Sequence, residues 1–299
     1  MIIWGASFIF TKICLQSLDP IALIWLRLFI SLFALCPIVF LFYRDTFKFK
    51  WRDLKYMALL AVFEPFLYFL GENFSLVHLS ASLVSVIVAT IPIFTTISAV
   101  LFFREKLGVA NVFGIAVSIC GTIFILLWGN AGFDTVNVRG VLLAFLAVFS
   151  ATCYITILKK LLHNYNSIAL LTWQNIIGCL LFTPLFIGFS DMSAARDSLF
   201  AVSGKEGVML WSALLILSFF CSAIAFLFFS TAIKMGGIAK TNVFSSIVPI
   251  VTFILAAMAG QENFSFIKLT AVFIVVGGLM LSQRQSPVKY PGRRSVSSQ

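Results

Sequence analysis

The residues with the most chemistry to offer lie where water is scarcest. Between Leu54 and Leu76, a run made mostly of Phe, Leu and Val also holds Glu64, Tyr68, Gly71, Glu72 and Ser75. At about 100° per residue these five fall within an arc of about 100° on one helix face. An ionisable group inside a bilayer costs about 2.5–3.5 kcal/mol on insertion scales, so its retention calls for a function. A carboxyl on such a stripe can bind a cationic group or carry a proton. The bland alternative leaves Glu72 in the hydrated headgroup layer and pairs Glu64 with a backbone or hydroxyl group.

Other runs carry polar groups at helical spacing. Ser82, Ser85, Ala89, Pro92 and Thr96 recur along one run, and Asn242, Ser245, Ser246, Pro249 and Thr252 along another. Proline inside a helix frees a carbonyl and allows a bend. The expectation is a pair of kinked helices that flank a solute and gate it at Pro92 and Pro249. Small residues equally serve close helix contact. Trp4, Ser7, Phe8 and Thr11 share a helix face, and Ser150, Tyr154 and Ser222 add hydroxyls elsewhere. Aromatic rings with hydroxyls suit an organic solute that has polar and apolar parts, while Trp4 also fits an interfacial belt. The candidate substrate-binding set is Trp4, Ser7, Thr11, Glu64, Tyr68, Glu72, Ser85, Tyr154, Ser222, Asn242 and Ser246. Lys12 and Arg27 lie near the ends of their runs, where snorkelling explains them, with a substrate carboxylate as the second reading. Glu105 and Glu262 are expected to cap the helices that follow them.

The elements that position these groups follow from composition. The 299 residues are 61% hydrophobic and 11% charged, with a mean hydropathy of +1.06. Soluble domains carry about 25% charged residues, so a water-soluble enzyme, a disordered chain and a disulfide scaffold are excluded. Ten apolar runs are legible. They are 1–17, 21–43, 54–76, 80–103 and 109–128, then 140–158, 168–189, 208–233, 238–259 and 267–282. Each is far longer than the ~10 residues of a barrel strand, and backbone groups must be paired within hydrocarbon, so all are expected to be helices. Between the seventh and eighth runs lies one longer loop, from Ser190 to Gly207. The first run is short for a spanning helix and no cleavable signal peptide is legible.

The net charge of +10 comes from Lys and Arg in short loops and in the tail, which is how a membrane protein sets its orientation. With the N-terminus in the cytoplasm, inside segments hold fifteen Lys and Arg and outside segments four. Both termini are therefore expected in the cytoplasm, and nucleic acid is not expected as a partner. Cys14, Cys36, Cys120, Cys153, Cys179 and Cys221 all lie in apolar runs and read as packing. No metal spacing and no phosphate-binding loop occurs, so no metal, cofactor or ATP is expected.

The chain also repeats. Pro20–Arg27 resembles Ser167–Gln174 at an offset of 147, and Pro92, Glu105 and Gly121 match Pro249, Glu262 and Gly278 at an offset of 157. Each half holds five runs, an odd number, so the second half must lie inverted against the first. Inverted repeats point to a secondary transporter with its site near the midplane.

These motifs resemble the EamA-type transporters of the drug/metabolite transporter superfamily across nearly the whole length. Trp4-Gly5-Ala6-Ser7-Phe8 looks like that family's first helix, and Asp19-Pro20 with Leu26-Arg27 like its second. Ala89–Pro92 with Arg104–Leu107, and Ser246–Pro249 with Glu262, look like its fourth-helix pattern in both halves. Gly114 and Gly121 match its fifth helix. The sixth run departs, with Ala151 where the repeat's Trp would align. The resemblance implies an all-α integral membrane protein, with ten transmembrane helices as two inverted five-helix repeats. The repeats would be 1–130 and 138–282, followed by a basic cytoplasmic tail, 283–299, able to touch anionic lipid. It also implies a non-enzymatic transporter of a small organic metabolite, amino-acid-like or drug-like. The reading is an exporter working by alternating access in a bacterial inner membrane, as monomer or homodimer, with protons as the coupling ion. An uptake permease or uniporter of the same fold is the alternative. A membrane-embedded enzyme would need a cluster of His, Asp or Arg at the membrane surface, and a channel would not saturate.

Overall fold

The structure is a computed structural model describing residues 1–47, 50–103, 108–128, 137–200 and 204–282. Fourteen α-helices occur among the described residues. They are α1 (Ile2–Cys14), α2 (Pro20–Phe42), α3 (Leu54–Ala61), α4 (Tyr68–His78), α5 (Ala81–Val88), α6 (Ile91–Phe103) and α7 (Val109–Trp128). After these come α8 (Val138–Leu161), α9 (Ser167–Phe189), α10 (Met192–Phe200), α11 (Lys205–Leu215), α12 (Ala225–Val243), α13 (Val248–Met258) and α14 (Phe266–Ser282). Several join into longer spans. Eight of these among the described residues are long and apolar enough to cross a membrane, and α1 and α14 are shorter apolar helices. The chain is thus an all-helical integral membrane protein.

Local chemistry explains where helices begin. Asp19 accepts hydrogen bonds from the Ile21 and Ala22 amides at 3.0 Å, and Pro20 opens α2 where a missing N–H costs nothing. Asn137 caps α8 through the Gly140 amide at 3.2 Å. The stretch expected as a loop after the seventh run contains α10. Asp191 starts it by accepting from the Ser193 hydroxyl at 2.6 Å and from the Ala194 amide at 3.0 Å. Those two bonds, the hydroxyl first, hold the Asp191 carboxyl below its ordinary range.

Four runs are broken rather than continuous. In the third, the chain leaves helical geometry at Glu64 (φ −146°, ψ 119°), next to Pro65, inside wide π-type turns at Val62–Leu67. The eighth has a matching π-type stretch, Ile216–Ile224, and Gly237, in the connection that follows it, takes a positive φ of 80° that only glycine adopts readily. In the fourth, α5 and α6 part at Ala89–Thr90. In the ninth, a 3₁₀ turn at Phe244–Ile247 precedes α13. Pro92 and Pro249, the prolines of the expected kinks, stand just past these breaks in the first turn of the second half-helix, where a proline removes no bond the helix needs.

Helices of the two halves pack across each other in a reciprocal pattern. α1 lies against the Ile216–Ile224 stretch and against α13, while α8 lies against α4, the Val62–Leu67 turns, α5 and α6. α2 pairs with α9, α5 with α13, and α7 with α14. The last pair is the closest. A Cβ at Gly114 would strike the α14 backbone at Gly278–Ser282, and one at Gly278 would strike the Ser118 and Gly114 backbone. Asn111 locks that pair by donating to the Ser282 carbonyl at 2.7 Å.

Glu262 departs from expectation in its partner. Its carboxylate accepts from the Ser82 amide at the start of α5 (2.9 Å) and from Lys268 of α14 (2.8 Å). It therefore caps a helix of the other half as well as pairing with the helix that follows it. Beside it, Gln261 donates to the Ile9 carbonyl of α1 at 3.2 Å. The equivalent Glu105, the Arg104–Leu107 motif and the basic tail lie outside the described residues.

The α7–α14 contact makes a sharp prediction. Gly278→Val drives a branched side chain into backbone and should lower stability by about 1–3 kcal/mol or more. Gly277→Val, one position on, meets nothing within 4 Å and should be tolerated. Thermal melts of both variants in detergent decide it; equal melts would mean that the glycine contact does not hold the pair together.

Candidate functional site

A buried cavity of about 80 Å³ lies among α1, α2, α4, α8 and α12, bordered by the breaks at Glu64 and Ala89. It could hold several waters, each needing about 10–15 Å³ of such space, whereas solute pockets run to about 300–1,000 Å³. Admitting a metabolite requires its walls to part. A second cavity of about 380 Å³ adjoins it and shares Met1, Trp4 and Phe229, so those side chains stand between the two.

The polar wall is built on Arg27. Its side chain is 2% exposed, well inside the bundle, rather than snorkelling to an interface as its place in the sequence suggests. Three neighbours meet the guanidinium. Nε donates to the Ser222 hydroxyl at 2.6 Å, Nη1 lies 4.0 Å from Glu72 Oε2, and the Phe69 ring covers the plane at 4.1 Å from its centroid. Glu72 also accepts from the Tyr68 hydroxyl at 3.1 Å, across one turn of α4. Glu72 is 4% exposed and so is not the hydrated surface group of the bland alternative.

Glu64 is equally buried and lines the same cavity. It arrives there by the break in the third run, because its backbone is not helical. The shared helical face that spacing predicts holds for Tyr68 and Glu72 but does not extend to Glu64. Close packing fixes the break, since Gly178 of α9 presses against Pro65 where a Cβ would collide with the ring. No described residue hydrogen-bonds the Glu64 carboxyl. It lies within electrostatic reach of Glu72, Arg27 and Tyr154.

The opposite wall is aromatic. Trp4 meets Phe226 and Phe229 edge-on at 4.9 and 5.0 Å, and Phe226 also meets Tyr154 and Phe69 at 6.4 and 6.5 Å. The Trp4 indole donates to the Cys221 carbonyl at 3.2 Å, which sets its ring across the mouth.

Of the remaining candidates, Ser7 lines the cavity while donating to the Trp4 carbonyl at 2.7 Å. Tyr154 lines it and shares a hydrogen bond with Gln174. Asn242 lines it and donates to Thr95 at 2.9 Å. Ser222 stands behind Arg27. Thr11, Ser85 and Ser246 are buried outside the lining; Ser85 donates back to the Ser82 carbonyl of its own helix at 2.8 Å. Ser245, adjacent to Ser246, reaches the cavity instead. The binding set drawn from the sequence omits Arg27 and the ring of Phe226. Arg27 is an intramembrane charge, a signal that could have placed it there; Phe226 is one of 34 phenylalanines and carries no such mark.

The sequence model of the EamA-like transporter family matches residues 1–127 and 138–283. An Archaeoglobus fulgidus protein named "Uncharacterized transporter" is 24% identical over 94% of this chain and 95% of its own. A Bacillus subtilis protein also named an uncharacterized transporter is 25% identical over 91% of this chain and 87% of its own. An Escherichia coli protein named "Probable amino-acid metabolite efflux pump" is 22% identical over 94% of this chain and 91% of its own. One solved crystal structure superposes with a TM-score of 0.70 at 18% identity, over 94% of this chain and 92% of that one, a likeness of fold.

The Arg27–Glu72 contact is testable by a double-mutant cycle. Arg27→Gln strands a buried carboxylate and should cost about 3–5 kcal/mol. Adding Glu72→Gln removes the stranded charge and should restore much of that loss. Denaturation in detergent reads both; a double variant no more stable than Arg27→Gln alone would mean that the two charges do not support each other.

Proposed function

The chain belongs to the EamA-like transporter family, and on that premise we propose that it exports a small organic metabolite by alternating access, coupled to protons. The observation that carries the reading is the cavity itself: buried, polar on one wall, aromatic on the other, and formed where helices of the two halves meet. The reciprocal packing and the paired breaks support an inverted-repeat machine, with 1–130 and 138–282 as its halves. In such a machine, rocking one half against the other exposes a central site to each side in turn.

Charge arithmetic supports proton coupling. Among the described residues lining the cavity, two carboxyls, Glu64 and Glu72, face one charged side chain of opposite sign, Arg27. In a low-dielectric site that leaves one negative charge to be neutralised, and either a proton or a cationic part of the solute can do it. A group that must hold one or the other exchanges them across the membrane.

Export is supported by the name of the Escherichia coli relative, and an amino-acid-like solute by the same name. The excess of Lys and Arg on one side supports a cytoplasmic location of both termini, and the bacterial relatives support a plasma membrane location. An uptake permease of the same fold would use the same cavity, so direction is a matter for measurement.

In proteoliposomes preloaded with metabolite extract, an acidic bath should accelerate efflux by the wild-type protein. Glu64→Gln and Glu72→Gln should each abolish that pH-driven component. Unchanged pH dependence in both variants would remove protons from the mechanism, and net accumulation from the bath would make the protein an uptake system.

A further inference from the structure

We propose that the second cavity is the binding subsite for the apolar body of the solute, and that the Trp4 side chain is the partition that swings aside to join it to the charged cavity. The solute is then an amphipath, a small polar head on an extended apolar body. The proposal rests on the transporter reading and narrows its substrate.

The charged cavity, about 80 Å³, is too small for a metabolite, while the second, about 380 Å³, falls inside the range of solute pockets. Their chemistry is complementary. Ala225, Phe228, Ala232, Met235 and Phe244 wall the second cavity. Besides the Trp4 indole, its polar side chains among the described residues are Lys240 and Thr241. Lys240 is exposed, and the Thr241 hydroxyl donates to the Gly237 carbonyl of its own helix at 2.9 Å. Such a wall favours alkyl and aryl groups in proportion to the apolar area they bury. Glu64, Glu72 and Arg27 supply charge on the other side of the partition.

Met1, Trp4 and Phe229 border both cavities, and Trp4 among them carries a releasable latch. Its indole N–H donates to the Cys221 carbonyl at 3.2 Å, and its ring meets Phe226 and Phe229 edge-on. Those two phenylalanines are buried, whereas Trp4 is half-buried and has room to leave. The backbone beneath it is fixed. A Cβ at Gly5 would strike Val251 of α13, and the Gly5 carbonyl accepts from the Thr252 hydroxyl at 2.8 Å. With α1 pinned there, the passage opens by rotation of the indole. Rotation gives up one hydrogen bond and two ring contacts, which burial of an apolar body can offset. Apparent affinity then falls by the fraction of molecules whose partition stands closed.

A chain-length series tests this: L-alanine, L-norvaline, L-norleucine and L-2-aminooctanoate, compared by the concentration that halves counterflow of labelled L-norleucine in liposomes. With wild-type protein, each methylene that enters the second cavity should lower that concentration about fourfold. Ala232→Phe and Ala225→Leu add bulk to the cavity wall and should flatten the series. Size-exclusion profiles show whether each folds, and one folded variant is enough. Trp4→Phe keeps a ring but removes the latch to Cys221, so the longer members should gain about two- to tenfold. A flat wild-type series, or a slope that survives the filling variants, would overturn the subsite and leave that space to lipid. Longer members weakened by Trp4→Phe would overturn the partition and make the indole a surface on which the solute rests. If norleucine is not carried at all, the proposal falls. Saturable counterflow with metabolite extract would then preserve the transporter reading, and its absence would end that too.

Discussion

One guanidinium in hydrocarbon sets the terms for everything around it. Arg27 is 2% exposed, so its charge must be met inside the bundle. Meeting it takes three groups from two elements: Ser222 from the eighth run, and Glu72 and the Phe69 ring from α4. These contacts bring the second, third and eighth runs together, and the cavity lies beside them.

The cluster is lopsided. Arg27, Glu64 and Glu72 all belong to the first half of the chain. The second half answers with neutral groups: Tyr154, Gln174, Ser222 and Asn242. At the repeat offset Arg27 corresponds to Gln174, so one half carries charge where the other carries an amide. On the inverted-repeat reading, the charged cluster travels with one half, and the other half supplies the surfaces against which it is alternately exposed. A symmetric pair of clusters would place two guanidinium groups at the centre and demand twice the compensation.

How much of this is legible in the sequence depends on the range of the interaction. Apolar runs are local patterns, and they are read directly. The arc of Glu64, Tyr68 and Glu72 assumes an unbroken helix. Pro65 already hints at the break, but what holds it open is Gly178, more than a hundred residues on. Arg27 looks like a snorkelling residue because distance along a helix is visible and a tertiary partner is not. Glu262 looks like a cap for its own helix for the same reason, while the Ser82 amide it also serves belongs to the other half of the chain. Where a side chain's partner is remote in sequence, residue type shows that a partner is needed and stays silent about which.

The contracted cavity and the broken helices belong to one problem. A space of about 80 Å³ must enlarge several-fold to admit a metabolite. Continuous helices resist this, since bending one sacrifices backbone hydrogen bonds that hydrocarbon cannot replace. The breaks at Glu64, Ala89–Thr90 and Phe244–Ile247 have already given up that continuity, and residues at or beside them, Glu64, Ala89, Ile91, Asn242, Ser245 and Val248, line the cavity. α7 and α14, locked backbone to backbone by their glycines, contribute no residue to the lining. The described helices therefore divide into one tightly locked pair and a jointed group around the cavity. A ligand shifts an equilibrium between two arrangements only by what it gains in one over the other. The group best placed to feel that difference is the carboxyl of Glu64, which sits on a joint and faces the cavity at once.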